Sequence, residues 1–246
     1  MAPDSPWKPL LQKPSYLMNV RSYKKELLDG DDIPLDDIRI NMQELEKINT
    51  LLGGHHITLK GVRKLLNGKR TVHICEVGCG GGDNIKAIRN WCKKNQIKAR
   101  FTGIDIKDTC VRYSRENLGA DDNIHLICSD YKDVSFSDHP DIIFSSLFCH
   151  HFSEQELTDI IIWKYENSKS GFFINDLHRH PLAYHSIKWL TRLFSDSYLV
   201  KNDAPLSVQR GFSREDWISL FKKTRLRVDP KVRWEWAFRW LITVKK

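Results

Sequence analysis

No apolar run in this chain is long enough to cross a bilayer, and Met1 to Tyr16 holds prolines and lysines but no segment of signal-peptide length. The default expectation is a soluble cytoplasmic protein without a membrane span. The six cysteines, Cys75, Cys79, Cys92, Cys110, Cys128 and Cys149, form no C-x-x-C pair, which argues against a zinc site or a disulfide framework and for buried thiols in a reducing compartment. His150-His151 lacks partner ligands at metal spacing, so no metal is expected. Basic charge is in excess, at net +8, but no concentrated run carries it beyond a mild gathering between Lys222 and Arg233. A solvated basic surface is therefore favoured over a nucleic-acid face. What remains is ordinary globular composition, 41% hydrophobic and 28% charged, with 246 residues enough for one sizeable domain and an appended piece.

Against that background one stretch stands out: Glu76-Val77-Gly78-Cys79-Gly80-Gly81-Gly82, an acid followed by alternate glycines. It follows the apolar run Val72 to Cys75 and precedes an amphipathic pattern through Ile85, Ile88 and Cys92, which reads as strand, turn, helix. Such a turn lets backbone approach a small molecule at a helix N-terminus. Two further apolar runs end in acids, Phe101 to Ile104 in Asp105 and Ile124 to Ser129 in Asp130. In a parallel doubly wound sheet all three strand ends open onto one edge. Asp105 is then placed for ribose hydroxyls and Asp130 for an adenine amino group. A nicotinamide fingerprint needs G-x-G-x-x-G, and from Gly78 its last position is Asp83, so that pattern fails.

The E-x-G-x-G-x-G loop with Asp105 and Asp130 behind it resembles the three cofactor motifs of class I S-adenosylmethionine-dependent methyltransferases. The resemblance implies S-adenosylmethionine as cofactor, held by Glu76, Gly78, Gly80, Gly82, Asp105, Ile106, Asp130, Tyr131 and Ser146. It also implies an α/β, Rossmann-like, seven-stranded sheet, mostly parallel with a C-terminal antiparallel hairpin. The residues agree. Strands fit Asp141 to Phe144 and Gly171 to Ile174, with Ser153 and Glu156 forming a capping-box pattern between them. Near the end, Leu226, Val228, Val232 and Trp234 alternate with charged residues as an edge strand containing Pro230, and Ala237 to Val244 reads as a buried partner.

Two helical pieces flank this sheet. Residues 1–70 are expected as an N-terminal helical cap, with one helix through Ile38, Met42, Leu45, Ile48 and Leu52 and another through Leu59 to Leu66, while 71–246 form the cofactor-binding domain. About 177–212 is an insertion expected as a lid, with a helix from Pro181, an irregular Asp203-Ala204-Pro205-Leu206-Ser207, and then a helix capped by Ser213.

Methyl transfer from a sulfonium needs an acceptor held in line, and a hydroxyl acceptor is helped by a base. His151 and His150 follow the fourth strand, in a segment similar to that of small-molecule methyltransferases related to the ubiquinone and menaquinone enzymes, and are the catalytic candidates. Asp176, Arg179, Ser207 and Arg210 are the substrate-binding candidates, in a stretch resembling methyltransferases found beside polyketide and aromatic-lipid biosynthesis. The implied acceptor is a small molecule, a phenol or quinol methylated at a hydroxyl or ring carbon. An RNA methyltransferase and a non-catalytic cofactor-binding protein are the alternatives. Ser145-Ser146-Leu147-Phe148 is not the Asp/Asn-Pro-Pro-aromatic segment of base amino methylation, and Cys149 reads as a small buried residue rather than a nucleophile. Trp234, Trp236, Phe238 and Trp240 are expected to pack in the core rather than meet a membrane surface.

Overall fold

The computed structural model describes residues 18–30 and 33–246; Met1 to Leu17, including the N-terminal stretch weighed as a signal segment and the start of the expected cap, lie outside the described residues. Seven strands, β1 (Thr71–Val77), β2 (Lys98–Asp105), β3 (Ile124–Cys128), β4 (Ile142–Ser146), β5 (Gly171–Leu177), β6 (Lys231–Glu235) and β7 (Arg239–Lys245), form one sheet in the order β3-β2-β1-β4-β5-β7-β6. The first five strands are parallel, and β7 runs antiparallel to both β5 and β6. This is the sheet implied by the sequence. Its order reverses between β1 and β4, where both chains leave their carboxyl ends in opposite directions and open a crevice.

Among the described residues eight helices surround it: α1 (Leu35–Leu51), α2 (Gly54–Leu66), α3 (Asp83–Lys94), α4 (Asp108–Leu118), α5 (Glu154–Asn167), α6 (Pro181–Phe194), α7 (Tyr198–Arg210) and α8 (Arg214–Lys223). The central strands are buried on both faces because helices cover them: every residue of β4 is buried, and β7 is buried except at its last residue. Consecutive Phe172 and Phe173 on β5 serve opposite faces, as the period of a strand requires. Phe172 joins a core with Ile160, Trp217 and Ile242, and Phe173 joins one with Val62, Ile74 and Ile88. Ser153 caps α5 as its sequence indicates, its own N–H donating to Glu156 Oε2 at 2.7 Å.

Three expectations need correction. Residues 203–207 are not irregular but lie inside α7, with Pro205 in the helix interior. An interior proline costs about 3 kcal/mol, and here tertiary contacts outweigh it: Val200, Pro205 and Val208 are buried, and the Asp203 carboxylate accepts the Leu27 and Leu28 N–H groups at 2.8 and 2.9 Å. The sixth strand starts only after Pro230, because Arg225 turns into the left-handed region at φ 56° and takes 225–230 out of the ladder. Trp234 and Trp236 are 46% and 69% exposed, not core residues, whereas Trp240 is buried.

Candidate active site

At the carboxyl edge, between the β1 and β4 loops, lies a cavity of about 370 Å³. Its floor is the glycine turn Val77 to Gly81 with Asp105, Ile106, Ser129, Asp130 and Tyr131; its far wall is Ser146, Leu147, Phe148 and His151. Two walls come from elsewhere: Asn41, Met42, Glu46 and Asn49 of α1, and Val200, Asp203, Ala204 and Ser207 of α7. A short segment, Glu26 to Asp29, closes the remaining side.

The glycine turn is built by backbone constraints. Gly78 sits at φ +72°, and a Cβ there would lie 2.1 Å from the Phe148 ring. The loop is tied to its neighbour by Asp105, whose Oδ2 accepts the Gly80 N–H at 2.9 Å and whose Oδ1 accepts the Lys107 N–H at 3.0 Å. Burial raises the Asp105 pKa despite these donors. Among the expected cofactor residues, Gly78, Gly80, Asp105, Ile106, Asp130, Tyr131 and Ser146 border the cavity. Glu76 and Gly82 do not. Glu76 is buried beneath the loop, where burial, with Asp83 and Asp105 nearby, pushes its carboxyl well above the ordinary range; it accepts from Asn84 Nδ2 at 3.0 Å. Gly82 serves packing, since a Cβ would lie 2.5 Å from Ser114 Oγ. Three buried polar atoms on cavity-bordering residues, Asn41 Nδ2, Tyr131 Oη and Ser146 Oγ, have no hydrogen-bond partner among the described residues. Orphaned polar atoms of this kind suit a polar ligand such as an adenosyl compound.

The two histidines have different surroundings although they are adjacent. Leu147, at φ 52°, turns the chain out of β4 into a single 3-10 turn, Cys149–His151. The turn points His150 inward, 3% exposed, with Nδ1 at 2.8 Å from Asp176 Oδ1 and Nε2 at 3.5 Å from Glu26 Oε1. Burial opposes its charge, but Asp176 and Glu26 overcome that and raise its pKa to about 9. His151 faces the cavity, and its Nδ1 is 3.0 Å from Asp29 Oδ1. Burial would raise Asp29, yet the His151 hydrogen bond and charge and the Arg210 hydrogen bond hold it well below the usual carboxylate range. An ionised Asp29 accepts a hydrogen bond from Nδ1–H of His151 and leaves the Nε2 lone pair free.

The remaining candidates behave as scaffolding. Asp176 is fully buried and accepts the N–H groups of Phe148, Cys149 and Leu177, so it shapes the 3-10 turn rather than touching the cavity. Arg179 is also turned away, paired with Asp216 at 2.9 Å and donating to the Met18 and Gly211 carbonyls. Arg210 is buried, donating to the His150, His151 and Lys24 carbonyls and to Asp29. Of the four expected substrate contacts only Ser207 borders the cavity, and it donates to Glu26 Oε1 at 2.8 Å. His150, by the same geometry, is buried and does not border the cavity. Glu26 and Asp29 had no signal in the sequence, being two acids in a short polar segment.

Glu26, His150 and His151 bring ligand-capable atoms within 4.8 Å of one another, so the pair does have a third donor nearby. The carboxylates of Glu26, Asp29 and Asp176 already face Arg210, Arg21 and a cationic His150, with Arg210 Nη1 3.9 Å from Glu26 Oε1. Existing cations balance the cluster, and a further dication would meet that guanidinium.

The raised pKa of His150 has a stability consequence with a definite sign. A group bound more tightly to its proton when folded contributes fully below its unfolded pKa and loses that contribution as pH rises through the folded value. Between pH 6.5 and about 9 the protein is expected to lose up to about 3 kcal/mol. Denaturant midpoints across this range should fall for the wild type, and His150→Gln should lack that part of the slope.

A family profile described as a methyltransferase domain matches residues 74–163, from β1 through most of α5. The chain has the class I methyltransferase fold, and the matched segment is similar to that domain family. Among solved structures, the plantazolicin methyltransferase BpumL in complex with SAH superposes with TM-score 0.58 at 19% identity, covering 80% of this chain and 72% of that one. Magnesium protoporphyrin IX methyltransferase from Synechocystis PCC 6803 with bound SAM gives 0.53 at 11% identity, covering 89% and 88%. Human N-acetylserotonin methyltransferase with SAM gives 0.59 at 17%, covering 95% and 65%. A sequence search of curated proteins gives no match. No helix among the described residues is long and apolar enough to cross a membrane.

Proposed function

We propose that this protein methylates a hydroxyl of a small aromatic acceptor, a phenol or quinol, using S-adenosylmethionine, in the cytoplasm. The observation that carries the reading is His151: an imidazole in the cavity wall, oriented by Asp29, next to the glycine turn and strand-end acids that suit the cofactor. The neighbours with bound SAM or SAH are methyltransferases of plantazolicin, magnesium protoporphyrin IX and N-acetylserotonin, all small molecules by name.

S-adenosylmethionine supplies an electrophilic methyl group on a good leaving group. Gly78 and Gly80 would let it lie against backbone, Asp105 would accept from ribose hydroxyls, and Asp130, Tyr131, Ile106 and Ser146 would border the rest. The chain's own task is to hold the acceptor oxygen in line and take its proton at His151 Nε2. In this reading α1 acts as the cap and α6 with α7 as the lid.

Glu26 adds a second contact. Its side chain is 4% exposed, and its Oε2 lies 3.9 Å from His151 Nε2, beyond hydrogen-bond range. A donor on the acceptor can fill that gap. Hydrogen bonds to charged groups contribute about 1.5–3 kcal/mol. Glu26→Gln is therefore expected to raise KM for the acceptor about tenfold or more while leaving cofactor affinity unchanged, as steady-state kinetics and calorimetry would show.

The test of the whole reading is incubation with methyl-labelled cofactor and either a panel of phenols and quinols or total RNA. Label in the organic extract is expected. Label confined to RNA would defeat the proposal.

A further inference from the structure

Helix α6 presents a face that the rest of the described chain leaves uncovered. Only Ala183 and Thr191 of its residues are buried. On the opposite side Leu182, Trp189 and Leu193 recur at intervals of seven and four, which at 3.6 residues per turn keeps them within about 40° of one another. They are 62%, 62% and 69% exposed, and Phe194 at the helix end is 78% exposed. His185, Lys188 and Arg192 flank this stripe on one side, and Pro181 to Phe194 contains no acidic residue.

The hairpin between β6 and β7 extends the same edge. β7 begins opposite the end of β5, with Arg239 paired to Leu177, so the turn carrying Trp236 and Phe238 stands at the carboxyl edge of the sheet. Phe238 stacks on His180, the N-cap of α6, with ring centroids 5.1 Å apart. Trp234 donates to His178 Nδ1 at 3.2 Å. The exposed tryptophans and the exposed helix face are thus joined through one set of aromatic contacts.

We propose that this edge rests on the surface of an anionic lipid bilayer, with α6 lying in the interface plane and the Trp234–Trp236 hairpin anchoring beside it. A helix with Leu and Trp on one side, basic residues next to them and no acid has the pattern of an interfacial helix rather than of a helix awaiting a protein groove. Charge decides between occupants. The chain carries net +8, and a second copy would bring Lys188 and Arg192 against like charge. Residues 1–17 carry Lys8 and Lys13 against Asp4 and do not supply the opposite sign either. Anionic headgroups do, and each nearby Lys or Arg adds to their attraction. The placement also brings the cavity rim, built partly by α7 on which α6 packs, next to a source of lipophilic acceptors.

The test uses the full chain, without turnover, so its outcome is separate from that of the methyl-transfer reading. Sedimentation with phosphatidylcholine vesicles, with and without phosphatidylglycerol, should show binding to the anionic vesicles that falls at high salt. Trp189→Ser with Leu193→Ser should cut that partitioning about tenfold or more. Lys188→Glu with Arg192→Glu should abolish the preference for phosphatidylglycerol, and both pairs should keep cofactor binding. Failure of the wild type to bind anionic vesicles would overturn the proposal, as would unchanged binding by the serine pair. A lipid-free dimer that the serine pair dissociates would assign the face to a second copy instead.

Discussion

Replacing His151 with alanine is expected to lower kcat about 10²–10⁴-fold while cofactor affinity stays within about a factor of two. The magnitude follows from what the imidazole does. A phenolic hydroxyl is a weak nucleophile, and a base at hydrogen-bond distance removes its proton as the new bond forms. His151 is presented for this by Asp29, which holds Nδ1 at 3.0 Å and is itself held by Arg210 Nη1 at 3.0 Å. Orientation alone, without proton transfer, would leave the alanine variant less than about tenfold slower, since the strand-end acids and glycine turn would still position the cofactor. Single-turnover rates across pH separate the two cases. In the wild type the rate should rise along a limb set by a base of the enzyme. In the variant that limb should vanish and the rate should track ionisation of the acceptor itself.

Asp29→Asn provides a graded companion, because an amide can still accept from Nδ1 but carries no charge to stabilise the imidazolium. A loss of about tenfold is expected, with partial retention of the pH limb. His150→Gln should behave differently. Its site is closed off by Asp176 and Glu26, so its replacement should move stability rather than the shape of the rate profile. If His150 variants lose the pH limb and His151 variants keep it, the assignment of roles within the 3-10 turn is reversed.

That distinction shows where the sequence was informative and where it was not. The glycine-turn side of the cavity could be read because each part is local: a strand, its terminal residue and the turn that follows, repeated at β1, β2 and β3. The parallel sheet followed from the same alternation, and the closing hairpin from the doubly buried pattern of β7. Adjacent histidines in one turn carry no such periodicity, so only the conformation of Leu147 decides which one faces the cavity. Glu26 and Asp29 reach the site from over 120 residues earlier in the chain, and nothing in their spacing marks them. Arg179 and Arg210 read as substrate contacts in the sequence, yet their guanidinium groups are used up on backbone carbonyls and on Asp216 and Asp29. Pro205 suggested a break in the lid because local propensity says so, and buried contacts along α7 override it. Local chemistry was legible; long-range pairing was not.

Gly78→Ala should weaken S-adenosylmethionine binding about a hundredfold, a larger effect than at any other glycine of the turn that borders the cavity. Two costs add. An alanine at φ +72° carries a left-handed penalty of about 1–2 kcal/mol. Its Cβ would also lie 2.1 Å from Cδ2 of Phe148, a ring that cannot simply swing aside. Phe148 packs on Phe152 at 4.6 Å between centroids, and its N–H is held by Asp176 Oδ2, so moving it disturbs the turn that presents His151. Overpacking of this kind costs about 1–3 kcal/mol, which with the backbone term gives about 3 kcal/mol, or about a hundredfold in Kd. Gly80→Ala is the control. It shares the positive φ, at +48°, but its Cβ would meet nothing closer than Met42 Sδ at 3.7 Å, so a loss below about tenfold is expected there. Calorimetric titration of both variants, with circular dichroism to confirm folding, decides the matter. Equal losses would mean that backbone strain alone governs the turn and that Phe148 has no part in shaping the cofactor site.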